Sequence, residues 1–295
     1  MHADDQVFVR LMEGKMANIR ATDMLPEELA ALVEQVLPMQ MKARGEACVT
    51  LPDQASCASA EAMFAGSPLI LRENFPHDLD QALRLFPILL DVLGGTGGAA
   101  AQAADTLRAA IASGELHPAQ ALRALPTGDD TLFAAWRQRL PESPRALSFL
   151  AASALWPSLN AAALALAERL PENLPHEHGH CPLCGSLPYI SFLREKEGLR
   201  FGACSFCGFE HRIRRICCPY CDEADTAKLK LFRVEEYPGV AVGVCETCSM
   251  YIKTLDFREL DKGLLPCLDD MATVALDVLA QGQGYKRPTL SAWGF

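Results

Sequence analysis

Positive charge is in short supply in this sequence: 27 Lys and Arg stand against 37 Asp and Glu over 295 residues, for a formal net charge of −10. A surface that tracks phosphates needs a basic patch, so this balance counts against nucleic acid as a partner. The N-terminus, MHADDQVFVRLMEGK, lacks the basic stretch and apolar run of an export signal, so no signal peptide is expected. A phosphate loop is missing too. GGTGGAA, residues 94–100, follows no strand and ends in no Gly-Lys-Ser/Thr, and reads as a flexible join between helices. Long uncharged runs are scarce, with one exception at residues 146–167, ALSFLAASALWPSLNAAALALA. Its length would span a bilayer, but its many alanines, three serines, Asn160 and Pro157 weaken the drive for insertion. It reads as two short buried helices meeting at Trp156-Pro157, with no membrane span. Cysteine is nearly absent from residues 1–175, where only Cys48 and Cys57 occur.

What is present divides the chain in two. Half of all residues are hydrophobic, enough for a sizeable core and two domains. Helical periodicity recurs through PEELAALVEQVL, DLDQALRLFPILLDVL, AAAQAADTLRAAIASG, DDTLFAAWRQRL and the 146–170 segment, predicting an all-α domain over 1–175. PENLPHEHGH, residues 171–180, breaks the pattern with two prolines and three histidines. Alternation then replaces helical spacing to about residue 255, and CLDDMATVALDVLAQGQG returns to helix within a C-terminal segment, 256–295.

The cysteines missing from the first half crowd the second. Four C-x-x-C pairs, Cys181/Cys184, Cys204/Cys207, Cys218/Cys221 and Cys245/Cys248, fall within residues 181–248. Their order is C-x2-C-x19-C-x2-C and then C-x2-C-x23-C-x2-C, the four-thiolate ribbon spacing written twice. A C-x-x-C turn lets two sulfurs approach one ion from the same side, and two facing turns complete a tetrahedron. Each group is interleaved with alternating segments: PYISFLR, LRFGA and FEHRIRRI in the first, KLKLFRV, VAVGV and MYIKTL in the second. The result is two metal modules, 181–216 and 217–255, each holding one ion through its consecutive four cysteines. An interleaved pairing of knuckles would demand longer-range closure. Cys217 breaks the spacing and reads as a spare; Cys48, Cys57 and Cys267 read as isolated, buried or half-buried residues. Cys184 and Cys207 precede Gly185 and Gly208, whereas Cys221 and Cys248 precede Asp222 and Ser249, so the second site is expected to be the more strained.

Several neighbours invite roles. His178 and His180 read as solvated linker rather than ligands, and His211 as an exposed strand residue rather than a donor to sulfur. Asp270, Thr273 and Asp277 share one side of the last helix and read as a solvated face, with an N-terminal carboxylate complementing the helix dipole. A thiol–disulfide oxidoreductase would want one pair at a helix N-terminus, not four between strands.

The motifs CPLCGSLP, CSFCGFEHRIRRICCPYC, CETCSMYIKTLD and DDMATVALDVLAQGQGYKRP, in that order, resemble the formate dehydrogenase accessory protein family, FdhE, and the knuckles resemble rubredoxin. The resemblance covers residues 181 to about 290. It implies a cytoplasmic, non-catalytic maturation protein that contacts the catalytic subunit of respiratory formate dehydrogenase. It also implies iron at two sites, with Cys181, Cys184, Cys204, Cys207, Cys218, Cys221, Cys245 and Cys248 as ligands. Zinc is the alternative metal, since four thiolates suit both ions. The alternative function is a zinc-ribbon protein that binds nucleic acid or serves as a structural interaction scaffold. Residues 181–253 hold ten Lys/Arg and nine Asp/Glu. Two divalent ions on eight thiolates would bring this region to about −3, which disfavours the nucleic-acid form. The fold class expected is α+β: a helical N-terminal domain, two small rubredoxin-like antiparallel β modules and a C-terminal helix.

Overall fold

The structure is a computed structural model, which describes residues 3–21, 25–174, 178–260 and 263–293. It contains ten α-helices and six strands among these residues, in the α+β arrangement expected. The chain divides into two compact units. One comprises Leu25–Cys57 and Ile70–Arg169; the other comprises helix α1 (Ala3–Ala21), Ala58–Leu69 and the chain from Leu170 to Ser291. The all-α stretch 1–175 is therefore not one unit: α1 packs against a C-terminal helix, α9 (Pro266–Ala272).

The first unit is built on α8 (Ala146–Ala167), against which α2 (Glu27–Glu46), α4 (Leu79–Gly94) and α6 (Pro118–Thr127) pack, with α5 (Gly98–Ala112) and α7 (Thr131–Arg139). This apolar segment is one continuous helix, correcting the expected pair that meets at Trp156-Pro157. Pro157 has no N–H to offer the Ser153 carbonyl one turn back, which ought to break the helix. The side chain of Gln40, itself 4% exposed, supplies the missing donor: its Nε2 lies 3.0 Å from that oxygen. Among the described residues α8 is the one helix long and apolar enough to cross a membrane, and most of it is buried inside the protein as a core helix.

The second unit is organised by a six-stranded sheet of order β3-β2-β1-β6-β5-β4. Its strands are β1 (Pro188–Arg194), β2 (Leu199–Cys204), β3 (Glu210–Arg212), β4 (Leu229–Phe232), β5 (Val240–Cys245) and β6 (Met250–Asp256). Each metal module supplies three antiparallel strands as expected, but the modules are not separate. They join edge to edge through a parallel pairing of β1 with β6, in the register Ser191↔Thr254, Phe192↔Leu255, Leu193↔Asp256. The Ser191 and Thr254 hydroxyls are 2.7 Å apart across this seam. Joining the modules hides two edges that each small sheet would otherwise expose.

Strand alternation then sorts the two faces of the sheet. On one face Tyr251 and Lys253 meet α9 and α10 (Val274–Gly282). Residues 266–282 form these two helices, broken at Thr273, rather than the single helix expected. Asp270, Thr273 and Asp277 are all buried against the sheet, not displayed to solvent. Lys253, 1% exposed, is ion-paired to Asp270 at 2.8 Å and Asp277 at 2.5 Å. Arg287 pairs with the same two carboxylates at 2.6 and 3.1 Å, and Tyr251 donates to Asp277 at 2.8 Å. Buried Lys15 of α1 is ion-paired to Asp269.

Candidate metal centres

All four C-x-x-C knuckles share one backbone device. The amide four residues after the first cysteine donates to that cysteine's carbonyl: Gly185 to Cys181, Gly208 to Cys204, Asp222 to Cys218 and Ser249 to Cys245, at 2.8–3.2 Å. Closing so tight a loop puts the last residue in left-handed backbone, with φ of 76° and 70° at Gly185 and Gly208. Asp222 and Ser249 adopt the same conformation, at 57° and 56°, despite their side chains. For an L-residue that conformation costs roughly 1–2 kcal/mol, least for Asn and Asp, so the second module carries strain that the first avoids.

The sheet brings these knuckles together in consecutive fours. Cys181, Cys184, Cys204 and Cys207 place their sulfurs within 4.8 Å of one another, and so do Cys218, Cys221, Cys245 and Cys248. Interleaved pairing is thereby excluded. The closest S···S approaches are 3.4–3.7 Å in the first group and 3.6–3.7 Å in the second. Metal–sulfur bonds of about 2.3 Å in a tetrahedron give S···S edges of about 3.8 Å, so the residues present fit one four-thiolate ion per group. Burial pushes Cys181 and Cys207 well above the usual thiol range. Eight thiolates could not sit together without cations to offset that penalty.

The two groups differ in access. All four cysteines of the first are buried, whereas in the second Cys221 is exposed and Cys248 half-buried. Cys217 stands outside both groups, buried, with its thiol 3.5 Å from the Cys218 carbonyl. Cys57 and Cys267 are half-buried as expected; Cys48 is exposed instead.

The histidines also lie outside the sulfur groups. His180 Nε2 approaches the Gly66 carbonyl at 2.8 Å, and His178 Nδ1 lies 3.3 Å from Asp222. His178 and His180 thus have partners within the fold rather than facing solvent alone. His211 is buried, not exposed: its ring nitrogens face the carbonyls of Gly179 at 3.2 Å and Phe209 at 3.4 Å. The buried Lys253–Asp270–Asp277–Arg287 network was only half visible in the sequence. The acidic side of the helix could be seen there, but its cationic partners come from a strand and from the tail.

Tandem four-cysteine knuckles on one antiparallel-built sheet define a rubredoxin-like, zinc-ribbon-like protein with two metal-binding sites. Known proteins resemble this chain in part of its sequence and in its fold. Residues 180–215 match the family model for the FdhE central domain, and residues 216–293 match that for the FdhE C-terminal domain. Residues 180–293 therefore resemble the two FdhE domains. It is 32% identical over 148 residues to a protein FdhE homolog of Haemophilus influenzae (strain PittEE), covering 48% of each chain. It is 34% identical over 119 residues to the Aquifex aeolicus (strain VF5) homolog, covering 39% of this chain and 42% of that one. The chain thus spans about half the length of the curated relatives it matches. In fold the likeness extends further. The crystal structure of the FdhE protein from Pseudomonas aeruginosa superposes with a TM-score of 0.64 at 21% identity, covering 97% of this chain and 95% of that one.

Proposed function

We propose that this chain is a metal-binding accessory protein for respiratory formate dehydrogenase, acting in the cytoplasm on the immature catalytic subunit without catalytic turnover of its own. The observation that carries this reading is the pair of four-cysteine groups within a region that matches both FdhE domain models. The eight cysteines are the ligands and the ions are iron. Iron in four thiolates supplies one-electron exchange between ferric and ferrous states. The chain's own residues divide the remaining work. The first group, shut away from solvent, locks β1–β3 together, while the second presents Cys221 at the surface, where a partner's redox group can approach.

Anaerobic purification with metal analysis and a visible spectrum tests the metal. Close to two irons per chain with ferric–thiolate charge-transfer bands is the expected result; colourless, zinc-loaded protein would leave a structural scaffold. Co-purification with the formate dehydrogenase catalytic subunit tests the partner. Formate dehydrogenase activity in cells lacking the endogenous accessory protein tests the function. Restoration by the wild-type chain, and its loss on Cys221→Ser with Cys248→Ser, is the expected pattern.

A further inference from the structure

The sheet face opposite α9 and α10 is not covered in the same way. Over β4, β5 and β6 it forms a groove of about 260 Å3, roofed on one side by residues 215–219 between the modules. Ala241, Gly243 and Ile252 line its floor, while Ile216 and Leu231, 60% and 61% exposed, stand at its lips. Exposed aliphatic side chains beside an apolar trough mark a surface made to be covered.

Gly243 is the informative residue. Glycine inside a strand costs roughly 0.5–1 kcal/mol relative to alanine, so a mid-strand glycine needs a reason. Packing supplies none: an added Cβ would meet only the Ile252 carbonyl at 3.8 Å and the Ile252 side chain at 4.0 Å, which is ordinary contact. Glycine at such a position is typical where another chain or ligand comes close.

Charge identifies what comes close. Arg200, Arg215, Lys230 and Arg233 line the groove against one carboxylate, Asp256, which Arg258 already neutralises at 2.6 Å. Arg200 is buried and turned toward the Cys217 carbonyl, but the others lie at the rim. Lys230 and Arg233 make exposed pairs with Glu246 at 3.9 Å and Glu259 at 3.4 Å. Such pairs are worth little and exchange readily for a ligand's carboxylates. In a chain of net charge −10, this is a local cationic rim around an apolar floor. The groove is smaller than the about 300–1,000 Å3 of usual small-molecule sites, and suits one or two side chains of a longer ligand. Among the described residues no aromatic platform for a nucleobase lines it, which disfavours single-stranded nucleic acid.

We propose that this groove docks a polypeptide segment carrying one or two aliphatic or aromatic residues flanked by Asp and Glu, the apolar side chains lying over Gly243 and the carboxylates meeting Arg215, Lys230 and Arg233. The proposal depends on neither the identity of the metal nor that of the client. A chain that passes the test below yet fails to support formate dehydrogenase in cells would lose the proposed function and keep the groove.

The test is selection of a random octapeptide display library against the full-length, metal-loaded chain, followed by fluorescence anisotropy on the enriched peptides. Enrichment of apolar residues flanked by acidic ones is expected, with at least tenfold weaker binding to Gly243→Leu and severalfold weaker binding to Arg233→Glu. Exchanging the peptide's acidic residues for lysines should restore binding to Arg233→Glu. Circular dichroism and metal content report whether Gly243→Leu is folded. If it is not, Leu231→Glu, at an exposed position, carries the test with the same expected loss. No enrichment, equal binding of enriched peptides to the groove variants, or a single-stranded oligonucleotide that binds there in place of peptides would overturn the proposal.

Discussion

At the scale of single residues, the second metal module differs from the first where a glycine is replaced. Ser249 and Asp222 hold left-handed backbone that Gly185 and Gly208 adopt without cost. Ser249→Gly relieves roughly 1–2 kcal/mol of strain and adds back roughly 0.5–1 kcal/mol of unfolded-state entropy. A net gain of up to about 1.5 kcal/mol is expected, read as a higher midpoint when the protein is titrated with a thiol-compatible chelator. The reverse change tells the same story: Gly185→Ala places a Cβ 3.1 Å from the Pro68 ring at a φ of +76° and should lower that midpoint. Both features could be seen in the sequence, because a C-x-x-C knuckle dictates which position turns left-handed. His211 could not: its burial depends on the Gly179 carbonyl, 32 residues away, which no local pattern reveals.

At the scale of elements, two buried polar arrangements do the holding. Gln40 stands in for the amide that Pro157 lacks, so Gln40→Leu leaves the Ser153 carbonyl unpaired and should cost about 1–3 kcal/mol in denaturant unfolding. Lys253 is enclosed by Asp270 and Asp277, and Lys253→Met should cost about 3–5 kcal/mol because it strands buried carboxylates. Burial alone would raise the Asp270 pKa, but Lys253 and Arg287 outweigh it and hold the carboxyl below its ordinary range. A depressed carboxylate stabilises the fold fully above its unfolded value near 3.9, and that share is lost as pH falls through the folded value. Unfolding free energy should therefore decline below about pH 4, and Asp270→Asn, itself less stable, should show a flatter acid limb. Four of the six strands were readable almost residue for residue, since alternation and knuckle spacing are local, whereas FEHRIRRI and KLKLFRV shorten to β3 and β4 of three and four residues. The continuity of α8 was not readable, because it rests on a side chain from another helix.

At the scale of the whole molecule, the two repeats were evident from spacing but their fusion was not. Hairpins are encoded by turns and alternation, whereas the β1–β6 pairing joins Ser191 to Thr254 across the entire second repeat, with only two matched hydroxyls to announce it. The place of α1 was hidden for a similar reason: its link is the Lys15–Asp269 pair, between residues 254 positions apart. One continuous sheet predicts that the metal sites are coupled. Removing the ion from the first group by Cys181→Ser with Cys204→Ser should lower the chelator midpoint of the second, although none of its own ligands has changed.

The metal sites rest on eight thiolates gathered into two fours, and counting metal by native mass spectrometry on anaerobically prepared protein tests that most directly. Two ions per chain are predicted, falling to one when either group loses a pair of cysteines and to none when both do. A wild-type chain that carries no metal, or whose single ion survives the loss of either group, would contradict it.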